Sequence, residues 1–452
     1  MMQSRGTAGN RIHVLFIATA LGFALLGGLL LAVALPVDAA LRGTIGVSWV
    51  VHAQVHGHLQ TVGFVGLFIV GMTYRLLPGF SGTQQLPFPR LVVPSFWLLA
   101  GGVLARALGQ PAAEHPAFAA VMAAGAWAEL LGGICFAANV FPLAWRASRG
   151  GQPFAPFFLA GAGWFVVQEA LGALWLTRLG IDNGRVLPVD RDGVLVFLQL
   201  FGFHLLFILG VALRSFPVFF AARRPGMRDV LPPFVLLQTG IALFTAAGLV
   251  DVLQLGAHWL LEDLGALLVG TGLLWATSFT GWWRRPTRIR PASRPFAYTL
   301  QPAMAWLSLA SLLFAAYGVR GLGRSAPLTF TEIDATRHIV AIGVVLMTIV
   351  SMAQLVIPEF ASERLVGRQG AWRGAAFGAA LSVATVARAF PRFFTTQLQG
   401  ETVYWLMALA GLTAMAVLGL LAFYFGRGVR DYRKVIETAA ARLERPPPRS
   451  DW

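Results

Sequence analysis

The side chains of this sequence that could do chemistry are few. There is one cysteine, Cys135, inside an apolar stretch, so the chain can build neither an internal disulfide nor a thiolate cluster. A metal would have to be held by imidazole, thioether or carboxylate. There are eight histidines. His52, His56 and His58 open one apolar segment, His338 opens another, and His115 and His258 sit near loops on the same side; His13 lies at the opposite end of its segment and His204 within one. Glu129 and Glu169 are acids inside apolar segments, where an unpaired charge is costly and a functional role is the default expectation. They could pair with one another or line a proton path.

The elements that position these residues follow from composition. Of 452 residues 57% are hydrophobic and only 12% charged, with mean hydropathy +0.68. An average soluble domain carries about 25% charge. A lipid-crossing helix needs about 20 apolar residues. Twelve such segments are found, near 12-36, 53-78, 90-109, 117-145, 153-180, 193-222, 230-254, 258-283, 299-319, 335-360, 371-390 and 403-428. The expected fold is therefore an all-α polytopic membrane protein forming a single membrane domain in the lipid bilayer. A net charge of +15 could suggest nucleic acid, but in such a protein basic residues gather on cytoplasmic loops. Of the 35 Lys and Arg, 23 fall on the loops of one side and nine on the other, with Arg75, Arg106 and Arg214 in or at the ends of spans. This predicts both termini in the cytoplasm, with a basic tail over 429-452 that reads as a topology signal, and no nucleic-acid partner.

The chain also repeats itself. His58, Gln60, Gly63, Phe64, Gly71, Arg75, Pro78 and Phe80 run in register, at an offset of 139, with a segment holding Gln199, Gly202, Phe203, Gly210, Arg214, Pro217 and Phe219; an offset of 280 reaches His338, Gly343, Pro358 and Phe360. Spans 2, 6 and 10 are thus related. The expectation is three parallel four-helix repeats, near 12-145, 153-283 and 299-428. Two-fold or inverted repeats, the common plan of secondary transporters, fit this poorly. A twelve-helix transporter and a haem-bearing anchor subunit of a larger redox complex remain the alternatives.

On a helix, 100° per residue puts His52 and His56 on one face and turns His58 away from both. His58 and His338 share one repeat position, each five residues before a glycine. Two imidazoles at one depth on different helices suit a bis-histidine haem b, with Gly63 and Gly343 leaving room for the macrocycle. His52 and His56 could share a copper ion if His115 or His258 completed the site, and His204 is a further metal candidate.

The run His56-Gly57-His58, then Gly63-Phe64, Val70-Gly71-Met72 and Leu77-Pro78-Gly79-Phe80-Ser81-Gly82, resembles the NnrS family. Those are twelve-span bacterial membrane proteins that contain haem and copper and are linked to nitric oxide. The resemblance implies a haem protein handling nitric oxide or electrons, with a quinol or a redox subunit as partner. The ending expected in the third repeat, at Pro358-Glu359-Phe360-Ala361-Ser362, lacks the family's histidine. More distantly the plan is similar to the catalytic subunit of haem-copper oxidases, where helices 2 and 10 hold a low-spin haem; His58 and His338 match those positions. Thr336 stands where a second helix 10 histidine would be, and span 7 has no histidine. An oxygen-reducing centre is not expected.

Overall fold

The computed structural model describes residues 12–253, 258–287, 295–324, 329–360, 370–393 and 400–444. Several basic residues behind the charge asymmetry lie outside them, namely Arg5, Arg11, Arg288, Arg290, Arg294, Arg364, Arg368, Arg445 and Arg449, as do Ala361 and Ser362 of the third-repeat ending. Among the described residues there is no strand, and twelve helices are long and apolar enough to cross a membrane. They are α1 (Ile12–Arg42), α2 (Val47–Phe80), α3 (Pro89–Ala112), α4 (Pro116–Arg149), α5 (Ala155–Ile181), α6 (Val189–Phe219), α7 (Met227–Val252), α8 (Trp259–Ser278), α9 (Phe296–Gly323), α10 (Phe330–Leu355), α11 (Trp372–Phe393) and α12 (Glu401–Arg427). The protein is an all-α polytopic membrane protein. The last helix continues beyond its apolar part to Glu444, so most of the basic tail is helical.

Hydropathy alone starts α2, α6 and α10 too late. Their first turns carry Gln54, Asp190, Asp192, Glu332 and Asp334, which lower the local hydropathy. Several of these groups are satisfied by protein partners, so the helix extends through them without exposing them to lipid. The face at which these three helices begin is called here the upper face.

Burial separates two classes of helix. In the most apolar stretch of α2, α6 and α10, 83%, 89% and 67% is buried, against 33 to 50% in the other nine. These three form the centre, and the rest surround it. The neighbour pairs recur every four helices: α1 on α2, α5 on α6, α9 on α10; α3 on α4, α7 on α8, α11 on α12; and α4 on α5, α8 on α9, with α12 returning to α1.

Each central helix widens at the same place. The segments Leu59–Gly66, Leu198–His204 and Ile339–Leu346 are π-helical, beginning at offsets of 139 and 280 from the first. Such turns are rare and concentrate at functional sites. The repeat glycines lie within them and have a packing role. A Cβ on Gly63 would meet Phe23 of α1 at 3.3 Å and Val103 at 3.0 Å, one on Gly202 would meet Trp164 of α5 at 3.0 Å, and one on Gly343 would meet Trp306 of α9 at 2.8 Å. The space beside Gly63 and Gly343, read from sequence as room for a macrocycle, is filled by aromatic and aliphatic side chains of the surrounding helices. The indoles are themselves tethered, Trp164 Nε1 donating to Gln238 of α7 and Trp306 Nε1 to Ser382 of α11. A turn or two lower, Gly71 and Gly210 pack on Phe16 and Phe158 in the same way, and Ser351 donates to the Phe296 carbonyl.

Candidate functional site

The polar residues of the upper half gather at two adjacent places. The first is built around His58, about 16 Å along α2 from its start. Arg106 of α3 donates from Nη1 to His58 Nδ1 at 2.9 Å, and His58 Nε2 lies 3.0 Å from Glu129 Oε1 of α4. A guanidinium can only donate, so Nδ1 is the nitrogen that carries the lone pair. Nε2 therefore carries the hydrogen and donates it to Glu129. All three side chains are buried. Glu169 of α5 packs against α4 one turn below Glu129, its Cγ 3.7 Å from where a Cβ on Gly133 would stand, and it accepts from Gln168 Nε2 at 2.6 Å. From Arg106 the chain of polar contacts runs upward: Nε donates to Gln110 Oε1 at 3.1 Å, Gln110 Nε2 to Gln54 Oε1 at 2.9 Å, and Gln54 holds Leu187 of the α5–α6 loop through both its amide atoms.

The second place lies between α1, α2 and α10. His56 Nδ1 is 2.7 Å from the Gly28 carbonyl of α1, and His338 Nδ1 is 2.8 Å from the Asp334 carbonyl. A carbonyl only accepts, so both rings carry their hydrogen on Nδ1 and present the lone pair on Nε2. Gly28 ends a π-helical segment, Ala24–Gly28. His56 lies within electrostatic reach of His338 and Arg388. Asp334 anchors this corner, accepting two hydrogen bonds from Arg388 at 3.0 and 3.1 Å and one from Arg392 at 3.0 Å.

His58 and His338 differ in what their ring nitrogens meet. The two do hold equivalent positions, each immediately before a π-helical segment. Yet the lone pair of His58 is taken by Arg106, and a metal could reach it only by displacing a buried guanidinium. His56, one helical turn after His52, has its Nδ1 held by a carbonyl instead and lies within electrostatic reach of His338.

The remaining histidines do not converge on a third place. His52 is half-buried, its Nδ1 2.7 Å from the Ser48 carbonyl one turn earlier. His115 is the N-cap of α4, its ring nitrogen accepting from Ala117 N at 3.3 Å, and His258 pairs with Asp251 at 3.5 Å. Neither completes a copper site with His52 and His56. His204 ends the π-helical segment of α6, fully enclosed and turned toward the Thr61 carbonyl. Among the described residues no three His, Cys, Asp or Glu side chains are grouped as a metal ion would need. Thr336 back-bonds to the Glu332 carbonyl at 2.8 Å.

Sequence reading passed over Arg106, Asp334, Arg388 and Gln110 as participants. Arg106 sat in an apolar span and Asp334 beside one, which is itself a signal that a partner must exist; which partner is a matter of packing. Lower in the bundle an apolar cavity of about 70 Å³ lies between α2, α6 and α10. Phe68, Met72, Phe207, Phe216, Val345 and Met352 are among its walls. Compared with known proteins, the chain matches no family model and no curated protein.

Proposed function

We propose that this chain is a twelve-span haem b protein of the NnrS type, in which His56 and His338 would hold the haem, with a role in electron transfer or nitric oxide handling. The observation that carries it is the tautomer of the two rings. Each Nδ1–H is held by a main-chain carbonyl, which orients the ring and leaves Nε2 to coordinate, the usual outer-shell arrangement of a ligating histidine. They come from α2 and α10, two of the three buried central helices, where a flat cofactor would be shielded from lipid. A haem with an imidazole on each side supplies one-electron transfer. The protein's share is to hold both rings, and with Asp334, Arg388 and Arg392 to keep the α10 ring in place. The basic asymmetry of the loops supports a bacterial inner membrane with both termini in the cytoplasm.

The test is the absorption spectrum of detergent-purified protein expressed with haem supply. A Soret band is expected in the wild type, lost in His56→Ala and His338→Ala and retained in any folded His58→Ala. A wild type without haem overturns the reading. Haem retained in His56→Ala and lost in folded His58→Ala returns the α2 ligand to His58. Nitric oxide would reach the iron only by displacing an imidazole, so titrating the reduced protein should shift the spectrum slowly and partially. Rapid oxygen consumption by the isolated protein would contradict the assignment, since Thr336 and a histidine-free α7 leave no second metal centre.

A further inference from the structure

The haem reading leaves the Glu129–Glu169 pair without a use. The two acids come from the middle of α4 and α5, about 20 Å from either helix's nearer described end, and are 2% and 4% exposed. Two buried carboxyl groups one turn apart across a helix contact repel each other when both are ionised, so one of them is favoured to hold a proton. The groups facing the pair are His58 from α2, Arg106 from α3 and Gln168 from α5. Beyond Arg106, α6 brings Asp192, which faces Arg337 of α10 as well. His58 is neutral by its hydrogen bonds, and Asp192 and Arg337 balance each other. That leaves one guanidinium against two carboxyls. With one proton on the pair the cluster is neutral; with none or two it carries a net charge in the low-dielectric interior, where charge is expensive.

Its surroundings are one-sided. Below the pair lies a layer of phenylalanines: Phe165 stacks on Phe203 at 4.2 Å, Phe136 meets both edge-on at 6.0 and 6.3 Å, and Phe207 closes on Phe136 at 5.7 Å. None of these can carry a proton. Above it, Arg106, Gln110 and Gln54 form the polar line that ends at the α5–α6 loop, where Arg185 pairs with the exposed Glu114.

We propose that Glu129 and Glu169 form a proton-binding site that holds one proton at neutral pH, exchanges it through the upper face only, and has its occupancy set at one by Arg106. The proposal does not depend on haem. It is read by infrared spectroscopy of the purified full-length protein at neutral pH, through the C=O stretch of protonated carboxyl groups. The wild type should show this band, moving on transfer to D2O. Glu129→Gln and Glu169→Gln should each lose band intensity, since the remaining carboxylate then balances Arg106 alone. Arg106→Gln should gain intensity, about doubling the part that the glutamate variants lose, as both acids become protonated. Gln110→Leu should slow the exchange with D2O several-fold, while Phe203→Leu should not. If a variant fails to fold, Glu129→Asp or Glu169→Asp replaces it, and the band should then shift rather than vanish. A wild type with no protonated-carboxyl band, or a band unchanged in all the glutamate variants, overturns the site. Exchange unaffected by Gln110→Leu overturns the route.

Discussion

At the scale of single residues, two histidines two positions apart have opposite chemistry because their neighbours donate and accept differently. His58 faces a guanidinium and His56 a carbonyl, so the lone pair points to Arg106 in one and is left free in the other. The consequence for stability is separable from the consequence for haem. Removing His58 deprives Arg106 Nη1 and Glu129 Oε1 of the hydrogen bonds it makes to them, and a buried polar group left without its partner typically costs about 1–3 kcal/mol. We expect His58→Ala to unfold at a markedly lower temperature in detergent, followed by circular dichroism, while whatever folds keeps haem; a variant as stable as the wild type would show the network to be loosely held. Asp334→Asn should act at the other corner. It leaves Arg388 and Arg392 facing a neutral amide and removes the carboxylate 3.3 Å from His338 Nδ1, so the corner around the α10 imidazole loosens although the main-chain hydrogen bond remains. The expected result is weaker haem retention with helicity intact, measured as haem per protein after gel filtration.

Helices 2, 6 and 10 show how one element is reused three times. Each is π-helical over the same stretch, and each presents a small residue to an aromatic ring of the helix before it. That contact leaves no room for a larger group. At Gly202, where a Cβ would sit 3.0 Å from the Trp164 side chain, adding bulk forces the indole away from Gln238. Overpacking of this kind costs about 1–3 kcal/mol. Gly202→Leu should therefore destabilise the protein without touching the haem spectrum, because α6 supplies no ligand. Gly343→Leu should destabilise it by a similar amount and in addition perturb the Soret band, since α10 carries His338 one turn above. Equal spectra for the two variants would argue that His338 is not a ligand.

At the scale of the whole molecule, the recurrence of neighbour pairs every four helices is a parallel arrangement, since four spans return the chain to the same side. The three repeats should then superimpose by rotation about an axis along the membrane normal, with Gly63, Gly202 and Gly343 at one depth. An experimental structure in which the two halves of the chain overlay instead would refute this. Topology is the complementary measurement. Reporters fused to either end should both read cytoplasmic; a periplasmic signal at the C-terminus would require one span fewer or more.

Composition and spacing alone determined the class of protein and the number of spans, and set the triple repeat and its histidine-bearing helices as expectations. Those properties are local or periodic: twenty apolar residues cross a bilayer whatever surrounds them, and an offset of 139 is visible without any contact. The choice between His56 and His58 belonged to the tertiary structure. It turns on whether a ring nitrogen meets Arg106 of α3 or the Gly28 carbonyl of α1, partners 48 and 28 residues away. The glycines are the same case in reverse. Their repetition was plain in the sequence, but whether they faced a cofactor or Phe23, Trp164 and Trp306 depended on how each central helix is rotated in the bundle. A helix's sequence states what it carries; the rotation that aims each side chain is settled only by packing against its neighbours.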